Sequence, residues 1–237
     1  MKKRPPFELR NWLIFYNAVQ VVLSCYLFQW GLQFLTQKGV WHSTCFCEHD
    51  DIRKEMLDGN HLYFIAKVIE LLDTVFFVLR KKQRQVSFLH VYHHTIMVIA
   101  TWSIVKYNKT DSVVFLGTIN SFVHIIMYGY YGLSVFPGIS RFLWWKKYIT
   151  IMQLIQFSLM FLHVVVSHAI SECRPAHILL FSVTSNSILF MYLFGDFYIK
   201  SYIKKYRESN AAKVASNNAK NGLNSTMNQH KLNNKIH

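Results

Sequence analysis

Residues 61–105 read HLYFIAKVIELLDTVFFVLRKKQRQVSFLHVYHHTIMVIATWSIV. Two apolar runs, 61–79 and 86–105, flank a basic knot, RKKQR, at 80–84. Each run has the roughly 20 residues that a helix needs to cross a hydrocarbon core. Neither is pure. The first holds Lys67, Glu70, Asp73 and Thr74, and the second holds His90, His93 and His94. Ionisable side chains at membrane depth are expensive and by default mark function. The stretch therefore predicts membrane helices whose polar groups face inward.

Four further blocks repeat the pattern: 12–36, 112–135, 148–170 and 177–199. Of the 237 residues 52% are hydrophobic and only 16% charged, below the ~25% usual for soluble domains. The first block lacks the short apolar core and small-residue end of a cleaved signal peptide. If all six blocks span with residue 1 in the cytosol, the cytosolic segments carry 19 of the 26 Lys and Arg. Six lie on the opposite side and Lys67 lies within a span. That asymmetry is the positive-inside pattern. It predicts both termini in the cytosol and reads the net charge of +14 as topology, not as a nucleic-acid surface. Residues 37–60 read as a polar loop and 1–207 as one membrane domain. The Asn-, Lys- and Ser-rich stretch 208–237 reads as a disordered cytosolic tail. Cys45, Cys47 and Cys173 fall on the non-cytosolic side, where a disulfide between Cys173 and Cys47, or else Cys45, fits an oxidising compartment. Cys25 lies inside the first span.

Lys67, Glu70 and Thr74 share one helical stripe, flanked by Asp73. A structural ion pair between Lys67 and Glu70 is one account of it, and the polar wall of a cavity is the other. His90, His93 and His94 share a face, which suits either metal ligation or nucleophilic and acid–base work. In the next span Asn120, His124 and Tyr128 form a stripe, with Tyr131 near it. In the one after, Thr150, Gln153 and Gln156 recur every three residues. Polar groups of this kind also serve as glue between membrane helices or line a transport pathway. One polar chamber inside a helical bundle explains all four stripes together.

KVIELLDT, HVYHH, HIIMYGYY and TIMQLIQ stand here in the order found in the ELO family of very-long-chain fatty acid elongases, and FFVLRKKQRQVSFLH fits as well. The chain resembles that family from about residue 4 to 207. The resemblance implies an all-α membrane bundle around an internal acyl tunnel, and a multi-pass enzyme of the endoplasmic reticulum. Its reaction would be an acyltransferase condensation of long-chain acyl-CoA with malonyl-CoA. The products are a 3-oxoacyl-CoA two carbons longer, CO2 and CoA. By motif position His93 would take the acyl group as an acyl-imidazole, with His124 opposite and in contact with the reacting group. His90 and His94 are expected in support, with Lys67, Glu70, Asp73, Asn120, Tyr128, Tyr131 and Gln153 as substrate-binding residues. No metal and no cofactor beyond the two CoA thioesters are expected. Expected partners are those thioesters and membrane lipid, with a homodimer or other elongation-cycle enzymes as protein contacts.

Two departures from the family pattern bear on this. Members usually have a further membrane helix before the RPPFEL stretch at 4–9, so the chain reads as a shortened member with about six spans instead of seven. The C-terminal NNKIH lacks the paired lysines that many members carry. An inactive elongase acting only as a binding partner, or a lipid-binding or transport protein, is the competing expectation. A di-iron desaturase needs several histidine boxes, and this chain has one.

Overall fold

The computed structural model describes residues 5–41, 50–107, 112–140, 142–170, 177–204, 206–211 and 214. Among them every regular element is helical: α1 (Arg10–Lys38), α2 (Asp50–Glu70), α3 (Leu72–Leu79), α4 (Phe88–Tyr107), α5 (Val113–Ser134), the single turn α6 (Pro137–Ser140), α7 (Lys146–Ile170) and α8 (His177–Tyr198). A π-helical turn, Ile199–Lys204, follows. The fold is that of an all-α membrane protein. α1, α4, α5 and α7 are each long and apolar enough to cross a membrane. The other two expected blocks are helical as well, as α2 running into α3 and as α8.

The chain divides into two compact units, Met1–Phe194 and Gly195–His237. In the second, Lys200 Nζ donates to Asp196 Oδ2 at 2.8 Å one turn away, and Tyr198 packs on Tyr202. Residues 206–211 are helical; most of the tail expected from 208 onward lies outside the described residues. So do Cys45, Cys47 and Cys173, and with them the expected disulfide. Cys25 is exposed.

In the first unit, α1 shows what kind of solvent the fold is built for. Its inward face buries Asn17, Gln20 and Ser24 beside Leu13 and Leu27, while Trp12, Phe15, Val22 and Tyr26 stand exposed. A soluble helix does the reverse. Polar groups turned inward and aromatics outward suit a helix surrounded by lipid, where small and polar residues make the helix–helix contacts. Asn17 Nδ2 donates to Leu13 O at 2.6 Å and Gln20 Nε2 to Tyr16 Oη at 3.1 Å, so the buried amide donors are used. At Gly31 the backbone of α1 comes so close to α5 that a Cβ would overlap Thr118 Oγ1. That hydroxyl is turned back onto Val114 O at 2.7 Å.

Two expectations need correction. The stretch 37–60 is not all loop, because α2 starts at Asp50. Its polar first turns hold Met56, buried with Phe34, Leu35 and Val114; three apolar residues, Ile52, Met56 and Leu57, among charged ones are too few to show a period. The span 61–79 is not one straight helix either. It breaks at Leu71, where Leu71 N donates to Val68 O at 3.2 Å and Thr74 N to Leu71 O at 3.1 Å. These tighter three-residue bonds reset the helix between Glu70 and Asp73.

The next helix is capped. Ser87 Oγ accepts from His90 N at 3.2 Å, which satisfies a free donor of the first turn of α4. The bundle then closes through an aromatic cluster of Phe157 and Met160 on α7 and Phe190 on α8, with Leu89, Tyr92 and Ile96 of α4 against it. His163 is a packing residue. It lies almost wholly buried on α7, stacks on Phe115 at 4.2 Å and donates through Nε2 to Ser112 O at 3.1 Å.

Candidate active site

The polar stripe of α2 is fixed by a charge that cannot reach water. Lys67 and Glu70 are both 2% exposed. Two charges buried in apolar surroundings are tolerable only with excellent geometry and further hydrogen bonds. Lys67 Nζ has both: it donates to Glu70 Oε1 at 2.8 Å and to Asn120 Oδ1 of α5 at 2.7 Å. It also lies over the Tyr63 ring, 4.8 Å from the centroid. Tyr63 Oη donates to the same Asn120 oxygen at 2.7 Å. His124, one turn beyond Asn120, brings Nδ1 to 3.0 Å from Glu70 Oε1. That is ion-pair range for an imidazolium, although the contact lacks hydrogen-bond alignment. Glu70 Oε1 thus stands between an ammonium and an imidazole, and Oε2 is buried without a partner.

The break at Leu71 sends the α3 groups elsewhere. Asp73 Oδ2 accepts from Tyr128 Oη at 2.8 Å, and Tyr128 is fully buried. Thr74 Oγ1 and His90 Nε2 are hydrogen-bonded at 3.0 Å. The expected stripe is therefore split: Lys67, Glu70 and the flanking Asp73 meet α5, while Thr74 meets His90 of α4. On α5 the expected stripe of Asn120, His124 and Tyr128 is buried throughout, with the His124 and Tyr128 rings 5.5 Å apart. Tyr131 turns outward at 38% exposure, its ring resting on Tyr128 at 6.5 Å.

The three histidines of α4 have three different surroundings. His94 is buried, with its ring 4.4 Å from His90 and 5.3 Å from His93. His90 is tied to α3. His93 packs its ring edge-on against Phe190 of α8 at 5.1 Å and lines an internal cavity of about 100 Å³. The lining includes none of His90, His94 and His124. Among the described residues no three His, Cys, Asp or Glu side chains group as a metal-binding set.

The cavity is a slot along α4. His93, Ile96, Met97, Ala100, Thr101 and Ile104 form its wall there, a single helix face about 16 Å long at 1.5 Å per residue. α1 adds Leu27 and Trp30 to the lining, α5 adds Val113 to Ser121 in part, and α7 and α8 supply Gln156, Phe157, Asn186 and Phe190. Tyr63 and Asn120 connect this wall to the Lys67, Glu70 and His124 network behind it. The geometry offers an imidazole facing a long apolar slot, with a cluster of charged and hydrogen-bonding groups alongside.

Of the expected substrate-binding residues, Asn120 lines this cavity. Gln153 does not: it is half-buried and directs Nε2 to Met127 Sδ at 3.7 Å. Gln156 lines the cavity instead. Tyr63 was also missed, although it stands one turn before Lys67, a spacing that puts both on one face. Asn186, which accepts from Tyr92 Oη at 2.9 Å, sits in the polar run SVTSNS of α8, and that run was the available signal.

Comparison with known proteins bears on the chain as a whole. Residues 1–210 match the family model described as ELO: GNS1/SUR4 family. The chain is 38% identical over 224 residues to very long chain fatty acid elongase 4 of Homo sapiens, covering 92% of this chain and 69% of the relative. To very long chain fatty acid elongase 2 of Rattus norvegicus it is 40% identical over 229 residues, 94% of this chain and 80% of the relative. To very long chain fatty acid elongase 5 of Xenopus tropicalis it is 38% identical over 211 residues, 86% and 70% of the two chains.

Proposed function

The chain belongs to the ELO family, a membrane protein of fatty acid elongation, and from that premise we propose that it condenses a long-chain acyl-CoA with malonyl-CoA. The products are a 3-oxoacyl-CoA two carbons longer, CO2 and free CoA. The observation that carries this reading is the position of His93: of the four candidate histidines it is the one on the wall of the apolar slot.

In the first half-reaction a His93 nitrogen attacks the thioester carbon. The C–S bond breaks, and the departing thiolate takes the proton that the acyl-imidazolium loses. Acyl-imidazole is a reactive acyl donor, so one difficult step becomes two easier ones. In the second half, malonyl-CoA loses CO2. The electron pair moves to its α-carbon, which attacks the acyl carbon as the C–N bond breaks. The imidazole then recovers one proton from solvent, and the overall condensation consumes one proton. Enolate charge is best met by donors already fixed in place. The Lys67 ammonium, held by Glu70 and Asn120, is such a donor, and Glu70 Oε1 lies 3.0 Å from His124 Nδ1. Cys25, the alternative type of nucleophile, is exposed on α1. The chain acts in the endoplasmic reticulum membrane, as the family resemblance implies, and its C-terminus lies in the cytosol, as the Lys and Arg distribution supports.

Membranes from cells expressing the chain should incorporate labelled malonyl-CoA into 3-oxoacyl-CoA. The His93→Ala variant, at equal protein level, should lose at least about 10³-fold in rate, the scale for removing a covalent nucleophile. Full activity in that variant removes His93 from the role. Acyl-CoA binding without any incorporation would favour the lipid-binding reading.

A further inference from the structure

Gln156 is a polar group on the cavity wall that the proposed reaction leaves unused. It stands on α7 at 3% exposure and lines the slot. Among the described residues its Nε2 meets only Met160 Sδ, 3.8 Å away and one turn on, and Oε1 has no partner. Thioether sulfur is a weak acceptor and donates nothing, so it draws the N–H side of the amide and leaves the carbonyl oxygen open. Of the other cavity amides, Asn60 is only half-buried, and Asn120 and Asn186 are occupied. Asn120 Oδ1 takes two donors; Asn186 takes Tyr92 Oη and gives Nδ2 to Ser182 O at 2.8 Å. A buried acceptor left unpaired destabilises the empty protein, and a native structure that retains one calls for an explanation.

Neighbouring rings fix the height of Gln156 along the slot. Phe157, next in sequence, packs on Phe190 and Phe194 with centroids 5.1 and 5.3 Å away. Phe190 in turn touches His93 at 5.1 Å. Gln156 therefore lies at the level of His93, away from the Ile104 end. An open acceptor at that level needs a ligand that carries a donor. A hydrocarbon chain has none, and neither has a thioester. The first N–H of an acyl-CoA belongs to the pantetheine amide, two methylenes beyond the sulfur.

We propose that Gln156 Oε1 accepts the hydrogen bond of this first pantetheine amide when the thioester carbon lies at His93, so that Gln156 selects the carrier arm of the substrate. The inference rests on the acyl-CoA reading of the site. It requires that the chain tell an amide from an ester at that position.

The test uses purified full-length chain in detergent and two thioether probes that cannot acylate His93: S-hexadecyl-N-acetylcysteamine and its twin with an acetate ester in place of the amide. Because the probes differ in micelle partition, their affinity ratio is compared between wild type and variants, where that difference cancels. Gln156→Met and Gln156→Leu should each reduce the amide-over-ester ratio by roughly 3- to 10-fold, the value of one net hydrogen bond. Their melting temperatures should equal or exceed that of wild type, since a purely structural amide would lower them. A ratio unchanged in both variants overturns the assignment, as does equal loss of both probes with a lowered melting temperature. If S-hexadecyl-CoA binds wild type and the amide probe does not, the assignment alone falls. If none of the three binds, the acyl-CoA reading falls with it.

Discussion

The wall that α2 and α5 give to the cavity is unlike the wall given by α7 and α8. Behind the first lie a lysine, a glutamate and a histidine, and one carboxylate oxygen and one amide oxygen between them make four contacts with Lys67, His124 and Tyr63. The second holds no charge: Phe157, Met160 and Phe190 dominate it, with Gln156 loosely attached and Asn186 tied to Tyr92. Charge in an apolar interior is tolerable only with close partners, and the short contacts of Glu70 Oε1 and Asn120 Oδ1 tie the first wall together although Glu70 Oε2 has none among the described residues. A neutral wall can leave an acceptor open at modest cost, so ligand selection by single hydrogen bonds belongs there.

The comparison can be broken most directly at Lys67. Lys67→Met leaves Glu70 without its cation and should destabilise the detergent-purified protein by about 3–5 kcal/mol in thermal unfolding. The double variant Lys67→Met with Glu70→Leu should recover most of that loss; if it is no better than the single, the pair is not what ties that wall together. Tyr128→Phe removes the donor to the half-buried Asp73 carboxylate and should cost about 1–3 kcal/mol, read from the same melting curves. Thr74→Val, which cuts the half-buried bond to His90, should cost about 1 kcal/mol. At the bottom of the scale, Gln153→Leu should stay within about 0.5 kcal/mol of wild type and leave product formation unchanged. A larger effect there would erase the distinction between the two glutamines.

Much of this could be read from residue order alone, and the remainder has a common cause. The long helices were legible because a bilayer demands runs of fixed length, and Asn120, His124 and Tyr128 because a four-residue repeat keeps one face. Period, however, does not give phase against other helices. Gln153 and Gln156 differ by most of a turn, and only the positions of α4 and α8 decide which meets the cavity. Tyr131 looked like a continuation of the Tyr128 stripe, yet three residues further on the helix has carried it to the outer side. The division of Lys67 and Glu70 from Asp73 and Thr74 depends on a break that contains neither proline nor glycine, so no residue announced it. The role of Met56 depends on three residues from two other helices.

The break at Leu71 also sets a rule for insertion and deletion. Each residue turns an α-helix by about 100°. Adding or removing one residue between Glu70 and Asp73 would leave the Lys67 contacts intact and swing the whole of α3 by that angle. Asp73 would leave Tyr128 and Thr74 would leave His90 in the same step. The two-residue interval between the carboxylates of Glu70 and Asp73 thus acts as an angular gear, and a length change there should be far less tolerable than any single substitution within it.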